Sequence, residues 1–229
     1  MDVVLVAGLW LDGSAWDKVV PVLTEHGHRP VAVTLPGQDG RSTAATLDDQ
    51  AAAVVAVVDA AAGDVLLVGH SAACSLAWIA ADARPDRIAK VALIGGFPSA
   101  DGELYGDFVE PKDGVVTFPG WAGFEGPDSA DLDEAARRAF EAAAVTVPEA
   151  VTRGTVRLTD ERRYDVPVVI VCPEFSPAQG REWLSAGDVP ELAKAKHIDF
   201  VDIDSGHWPM FSKPAELARL LGGLADEKA

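Results

Sequence analysis

The stretch Leu66-Leu67-Val68-Gly69-His70-Ser71-Ala72-Ala73-Cys74 decides the fold of this chain. It predicts an apolar strand over residues 65–68, then a Gly-x-Ser turn, then a helix of small residues over 72–83. A serine at such a turn stands at the carboxyl edge of a sheet, where the first N–H groups of the helix favour developing negative charge. We therefore interpret Ser71 as a nucleophile, and a simple helix cap is the alternative.

The composition predicts a soluble, globular protein with a sizeable hydrophobic core. The 229 residues are 48% hydrophobic and 24% charged, and the formal net charge is −17, from 19 Lys and Arg against 36 Asp and Glu. Because nucleic acid and anionic membranes require a cationic surface, this charge argues against both as partners. Cys74 and Cys172 are too few for a disulfide framework or a zinc site, so we expect buried free thiols and neither metal nor cofactor.

The N-terminal residues give an expectation about location. Met1-Asp2-Val3-Val4-Leu5-Val6 has no basic flank and no small-residue cleavage site, unlike a signal peptide. No apolar run in the sequence reaches the ~20 residues that span a bilayer. We expect a cytoplasmic protein, either a monomer or a homodimer.

The chain alternates predicted strands with predicted helices. The strands are predicted over residues 3–7, 30–35, 65–68, 89–94, 166–171 and 198–203. The main helices are predicted over residues 15–26, 46–62, 72–83, 178–186 and 214–224. This alternation predicts an α/β fold with a doubly wound, mostly parallel, six-stranded sheet, formed by one domain over residues 1–229.

The alternation stops between the fourth and fifth strands. Residues 97–165 mix glycines, prolines and aromatic residues without a clear strand, and they contain one strong helix pattern over residues 132–144. We interpret this segment as a helical lid inserted over the edge of the sheet. Four segments that could take part in catalysis follow predicted strands directly. They are Ser71, residues 8–10, Glu174 and His207. Ligands bind at the carboxyl ends of strands in such sheets, so these groups are expected to meet there.

Several motifs together resemble the α/β-hydrolase family. They are Leu5-Val6-Ala7-Gly8-Leu9-Trp10, Leu35-Pro36-Gly37, Val68-Gly69-His70-Ser71-Ala72-Ala73 and Ser205-Gly206-His207-Trp208-Pro209. The resemblance covers nearly the whole chain and is strongest to small esterase-like members, which include plant methylesterases and hydroxynitrile lyases. Ala7 and Ala73 depart from the family pattern, which has histidine and glycine at these places.

The resemblance implies a catalytic triad in the order Ser, Asp or Glu, His. Ser71 would attack, and His207, in the loop after the last strand, would act as the general base. Glu174 is the only carboxylate in the loop after the fifth strand and would orient His207. Asp202 and Asp204 are the alternatives for this third role.

The resemblance also implies an oxyanion hole made by backbone N–H groups. One donor would be Ala72, directly after the nucleophile, and the other would be Leu9 in the loop after the first strand.

Aromatic residues follow the same edge of the sheet and suggest an apolar substrate pocket under the lid. The residues concerned are Trp10, Phe97, Phe108, Phe118, Trp121, Phe124, Phe175, Trp208 and Phe211, of which Trp10, Phe97, Trp121 and Trp208 are the principal candidates. The alternative is that these side chains form the lid's own small core.

These features predict a cofactor-free serine hydrolase that cleaves a small apolar ester, lactone or related carbonyl compound through an acyl-enzyme. One alternative is a carbon–carbon lyase of the hydroxynitrile type, for which Lys112 is the only lysine in the lid. Another is a small-molecule-binding protein of hydrolase fold with little turnover, which the departures at Ala7 and Ala73 keep open.

Overall fold

The computed structural model describes residues 1–38, 44–107 and 109–227, and eight strands lie within these ranges. They are β1 Asp2–Val6, β2 Arg29–Val33, β3 Val65–His70, β4 Ile88–Ile94, β5 Val115–Val116, β6 Val147–Pro148, β7 Val168–Cys172 and β8 Ile198–Asp202. Six of them form one sheet in the order β2-β1-β3-β4-β7-β8, and every adjacent pair is parallel. The predicted six-stranded parallel sheet is confirmed.

Helices connect the strands. The described residues form α1 Val20–Glu25, α2 Leu47–Ala60, α3 Ala73–Ala83, α4 Glu134–Ala143, α5 Glu149–Thr152, α6 Pro177–Ala186, α7 Pro209–Ser212 and α8 Pro214–Asp226. None of these helices has both the length and the apolar composition needed to cross a membrane.

The central strands β1, β3, β4 and β7 bury both of their faces, so alternate side chains of one strand enter two different cores. In β1, Val4 and Val6 pack in a core with α2 and α3, whereas Val3 and Leu5 pack in a second core with α1 and α8. Each fully buried aliphatic side chain contributes about 1.5–3 kcal/mol, so the two cores hold the central strands firmly. The carboxyl ends of the strands are thereby fixed on one edge.

The first predicted helix, over residues 15–26, is too long. A short 3₁₀ turn forms over Gly13–Trp16, with the Asp12 side chain accepting a hydrogen bond at its start, and α1 begins only at Val20. Pro21 explains the break, because proline lacks an N–H and is tolerated in the first turn of a helix but not in its interior.

The second predicted helix has the expected start. Thr46 Oγ1 accepts a hydrogen bond from the N–H of Asp49, and the Asp49 carboxylate accepts one from the N–H of Thr46. This reciprocal pair is a capping box in which aspartate takes the place of the usual glutamate.

Residues 97–165, called the insertion below, lie between β4 and β7. The predicted helix over residues 132–144 is present as α4, with Asp133 as its N-cap. The expectation that no strand forms here was wrong, because β5 and β6 pair antiparallel, although with only two residues each. Strands of that length show no alternation that a sequence pattern could reveal. The insertion contacts two loops at the carboxyl edge of the sheet, through Val145 N–H to Trp10 O (2.9 Å) and His207 N–H to Asp128 O (2.7 Å).

Candidate active site

Ser71 lies at the end of β3 in a left-handed backbone conformation, with φ of +55°. Its N–H donates to Ile94 O at 2.8 Å, and its carbonyl accepts from Cys74 N–H at 2.9 Å, so main-chain bonds on both sides hold the turn. The turn is tight, because a Cβ added to Gly69 would lie 2.5 Å from Ala73 O. A non-glycine residue at positive φ costs free energy and is retained where the surrounding structure fixes it, often at functional sites.

The loop after β1 lies directly against Ser71. A Cβ on Gly8 would be 2.8 Å from the Ser71 Cβ, so only glycine permits this approach. Trp10, two residues on, is also in the left-handed region, with φ of +64°. Among the described residues, no backbone hydrogen bond uses the N–H of Leu9 or of Ala72. The two backbone groups predicted for an oxyanion hole therefore remain available as donors beside Ser71.

His207 and Glu174 are joined by a hydrogen bond. The His207 Nδ1 lies 2.8 Å from Glu174 Oε1, and the two side chains are 13% and 15% exposed. A carboxylate only accepts, so Nδ1 carries the proton and Nε2 is left with a lone pair, as a general base requires. Asp202 and Asp204 are exposed, and neither forms a hydrogen bond with His207 within the described part of the chain.

Two consecutive glycines pack closely against the site, Gly95 against the His207–Glu174 pair and Gly96 against Ser71. A Cβ on Gly95 would lie 3.1 Å from His207 Nδ1, and a Cβ on Gly96 would lie 3.0 Å from Ser71 O. Within the described ranges, the hydroxyl of Ser71 has no hydrogen-bond partner, so it is not bonded to His207. Hydrogen bonds between catalytic groups are often long without substrate and tighten when it binds.

His70 is a buried part of the site that the sequence did not reveal. Its ring is fully buried, and its Nε2 lies 2.8 Å from the carbonyl oxygen of His207. Because a carbonyl only accepts, Nε2–H is the donor. Burial, and then the nearby charge of His207, lower the pKa of His70 to about 3, which keeps the ring neutral. The only available signal was the residue type between Gly69 and Ser71, since no periodicity marks such a contact.

The aromatic candidates fall into two groups. Trp10, Trp121 and Trp208 belong to one connected set of rings together with Phe118, Phe124, Phe140 and Phe211. Trp208 brings this set to the site, because its ring lies 4.8 Å from that of His207. Phe97 lies elsewhere and packs against Phe175 and Trp183. Phe108 lies outside the described residues.

An apolar cavity of about 260 Å³ lies between the loop after β1 and α4, and Leu11, Leu132, Phe140 and Phe211 are among its walls. None of Ser71, Glu174 and His207 lines it. Phe140, one of its walls, contacts Trp208, whose ring in turn contacts that of His207. The candidate reacting centre is therefore at Ser71 and not in this cavity, because none of the predicted catalytic side chains lines the cavity.

Within the described ranges, no cluster of three or more His, Cys, Asp or Glu side chains is arranged to hold a metal ion. Cys74 and Cys172 are both buried and free, as expected. Burial raises the pKa of the Cys74 thiol, so this side chain stays protonated.

Similarity to known proteins extends over most of the chain. The sequence profile described as the alpha/beta hydrolase family matches residues 3–220. A pyrethroid hydrolase from Sphingobium wenxiniae is 30% identical over 115 residues, which make up 48% of this chain. The match spans 41% of that relative's length, which is less than half.

Two solved structures resemble nearly the whole chain. An extracellular α/β-hydrolase from a Paenibacillus species, described as sharing structural and functional homology with tobacco salicylic acid binding protein 2, has a TM-score of 0.77 at 20% identity and covers 96% of this chain and 97% of its own. Polyneuridine aldehyde esterase has a TM-score of 0.71 at 18% identity, with 98% and 99% covered. At these identities the likeness concerns the fold alone. Together with the family profile, the fold and the Ser71 turn show that this chain belongs to the alpha/beta hydrolase family.

Proposed function

We propose that this protein is a serine hydrolase that needs no cofactor and cleaves a small apolar ester, lactone or related carbonyl compound. The observation that carries the proposal is the 2.8 Å hydrogen bond from His207 to Glu174, formed at the sheet edge where the Ser71 turn also lies. The partial match to a pyrethroid hydrolase supports hydrolytic chemistry.

The first half-reaction forms an acyl-enzyme. Ser71 Oγ attacks the carbonyl carbon while His207 Nε2 takes the hydroxyl proton, and Glu174 stabilises the imidazolium that results. The N–H groups of Leu9 and Ala72 donate to the oxyanion. The intermediate then collapses, the carbon–oxygen bond to the leaving alcohol breaks, and His207 returns its proton to that alcohol.

The second half-reaction releases the acid. A water molecule gives its proton to His207 Nε2 as its oxygen attacks the acyl carbon, and the proton then returns to Ser71 Oγ as the ester bond to the enzyme breaks. Removing one oxyanion donor typically costs about 3 kcal/mol of transition-state stabilisation, so the positions of Leu9 and Ala72 matter to the rate.

The surroundings of the site favour an apolar substrate. Trp208 contacts the His207 ring, and Phe124 and Trp121 pack against Trp208 in turn. In this proposal the insertion acts as a lid whose rings exclude water from the acyl-enzyme. Lys112 is exposed and lies beside Val115 at the β5 turn, so no observation favours the lyase alternative.

The test is intact mass after incubation with a fluorophosphonate probe, which labels only activated serines. We expect one adduct on the wild type and none on Ser71→Ala or His207→Ala. Ser75→Ala is the matched control, because Ser75 is a buried serine in α3, four residues after Ser71, and it bonds to Ser99 and not to the triad. This variant should be labelled normally.

A folded wild type without an adduct would contradict the proposal, and the binding-protein alternative would then be favoured. Labelling of Ser71 would lead to a panel of aryl esters, alkyl esters and lactones, from which the substrate class is read.

A further inference from the structure

Hydrogen bonds hold His207 on three sides. Its Nδ1–H donates to Glu174, its carbonyl accepts from His70, and its own N–H donates to Asp128 O at 2.7 Å. Glu174 lies in the loop after β7 and His70 is the last residue of β3, whereas Asp128 belongs to the insertion. Only Nε2 of the base is left for the reaction, so its direction depends on how these three bonds fix the residue.

The residue before the base is held by the same part of the insertion. The N–H of Gly206 donates to Asp131 Oδ2 at 2.7 Å. Gly206 is buried, and a Cβ there would lie 2.4 Å from both Asp128 O and Asp131 Oδ1. The N–H groups of Gly206 and His207 therefore both bond to residues 128–131, and Gly206 packs against these residues without space for a side chain.

This part of the insertion is itself rigidly supported. Ser129 is fully buried, and its hydroxyl donates to Phe124 O at 2.6 Å. Arg137 of α4 donates to Ser129 O at 2.7 Å and to Leu132 O at 3.2 Å, and its guanidinium lies 5.4 Å from the Trp121 ring centre. Because this segment is fixed, its hydrogen bonds can hold the His207 loop in one position.

We propose that Asp131 is a positioning residue for the catalytic base: its carboxylate fixes the Gly206 amide and thereby aims His207 Nε2 at the reacting centre. This inference rests on the proposed function and extends it. It follows that His207 is correctly placed only while the insertion is seated on the His207 loop. Without Asp131, the buried Gly206 N–H would have no acceptor, and the loop would shift to satisfy it.

The test compares variants at Asp131 with a control at Asp133. We expect Asp131→Ala to slow acylation of Ser71 about 10- to 100-fold, since small misplacements of catalytic groups have effects of this size. With a substrate from the ester panel, kcat should fall while KM changes less than about twofold, because the carboxylate acts on the base and not on substrate binding. Asp131→Asn keeps an acceptor oxygen at the same place and should restore the rate to within about threefold of the wild type.

Asp133→Ala is the matched control. Asp133 is an exposed carboxylate two residues away, and it accepts from Ala136 N–H at the start of α4. Its loss should weaken the start of α4 without slowing acylation. Asp131→Glu keeps the charge but needs space that Gly206 does not leave, so it should slow acylation as well. If Asp131→Ala does not fold, the pair Asp131→Glu and Asp131→Asn decides.

A second measurement does not depend on catalysis. The proton between His207 Nδ1 and Glu174 gives a strongly downfield proton NMR resonance, which should broaden or vanish in Asp131→Ala and persist in Asp131→Asn and Asp133→Ala. Unchanged acylation and an unchanged resonance in Asp131→Ala would overturn the inference. If the wild type is not labelled at all, the proposed function fails, and the resonance alone still decides whether Asp131 positions His207.

Discussion

The turn at Ser71 and the loop at Trp10 both hold a non-glycine residue at positive φ, but different contacts stabilise them. Each places a non-glycine residue at positive φ, +55° and +64° respectively, at the end of a neighbouring central strand. The turn at Ser71 is held by main-chain bonds to Ile94 and Cys74, which belong to the sheet and its helix. The Trp10 loop is held by the insertion, through Val145 N–H and the rings of Phe118 and Phe124.

This difference shows which part of the site is built into the sheet and which part depends on the insertion. Ser71, the proposed nucleophile, is supported by strands and α3, so its position does not depend on the insertion. Leu9, the proposed oxyanion donor, is next to Trp10, so its position depends on contacts with a segment that is distant in sequence. The proposed reaction requires that Ser71 and the Leu9 amide are both correctly placed relative to each other.

The largest expected effect concerns the turn at Ser71. Gly69→Ala adds a Cβ only 2.5 Å from Ala73 O and 2.9 Å from the Ala77 Cβ, both within fixed elements. We expect a loss of about 3 kcal/mol in the free energy of unfolding, measured by urea denaturation, since overpacking against backbone cannot relax. Gly223→Ala is the control: it lies in α8 with no atom within 4 Å, and it should stabilise by about 0.5–1 kcal/mol. Equal effects at the two glycines would contradict a rigid turn.

The second effect concerns His70, which lies between the two regions. In the folded state burial lowers its pKa to about 3, whereas an unfolded histidine titrates near 6.5. The unfolded state therefore binds an extra proton as pH falls through 6.5, so the stabilising contribution is present above that pH and is lost toward pH 3. Relative to His70→Gln, which cannot titrate, the wild type should lose about 2 kcal/mol between pH 8 and pH 5. Urea denaturation at both pH values measures this loss, and parallel pH curves for the two proteins would refute it.

The smallest expected effect comes from placing glycine or alanine at Ser71 and at Trp10, which compares the two regions directly. At Ser71 the fixed turn keeps the left-handed conformation, so Ser71→Gly should be about 1 kcal/mol more stable than Ser71→Ala. At Trp10 both substitutions remove the ring contacts, and the loop can then relax to ordinary φ. Trp10→Gly should therefore be no more stable than Trp10→Ala, because glycine has the greater entropy when unfolded. Thermal unfolding of the four variants measures both differences, and a similar advantage for glycine at both positions would mean that the Trp10 loop is as rigid as the turn.

The sheet and the Ser71 turn were predictable because their signals are local. A short apolar run followed by Gly-x-Ser specifies a strand, a turn and a helix start within ten residues, and β3 and α3 lie where the pattern places them. The resemblance to known hydrolases supplied the roles of His207 and Glu174, which no local pattern contains. The structure joins these two side chains, while their catalytic roles remain a prediction.

The contacts that were missed are distant in sequence. His70 and His207 are 137 residues apart, and Asp131 and Gly206 are 75 residues apart. A hydrogen bond between such positions leaves no periodicity and no composition signal, so only the folded arrangement reveals it. Similarly, Phe97 was grouped with the other pocket candidates, and only the structure reveals that its ring packs with Phe175 and Trp183 and not with the set around Trp208.

The position of the insertion between β4 and β7 has a consequence for how this protein can change. These two strands pair parallel along four residues, so the insertion belongs to the crossover that runs from the carboxyl end of β4 to the amino end of β7. Since the entropy of closing a loop grows only with the logarithm of its length, doubling the segment would cost about 0.6 kcal/mol. Added length in its exposed loops therefore has little entropic cost, whereas the contacts at the sheet edge, residues 128–131 at the His207 loop and Val145 at the Trp10 loop, limit which changes the proposed site tolerates.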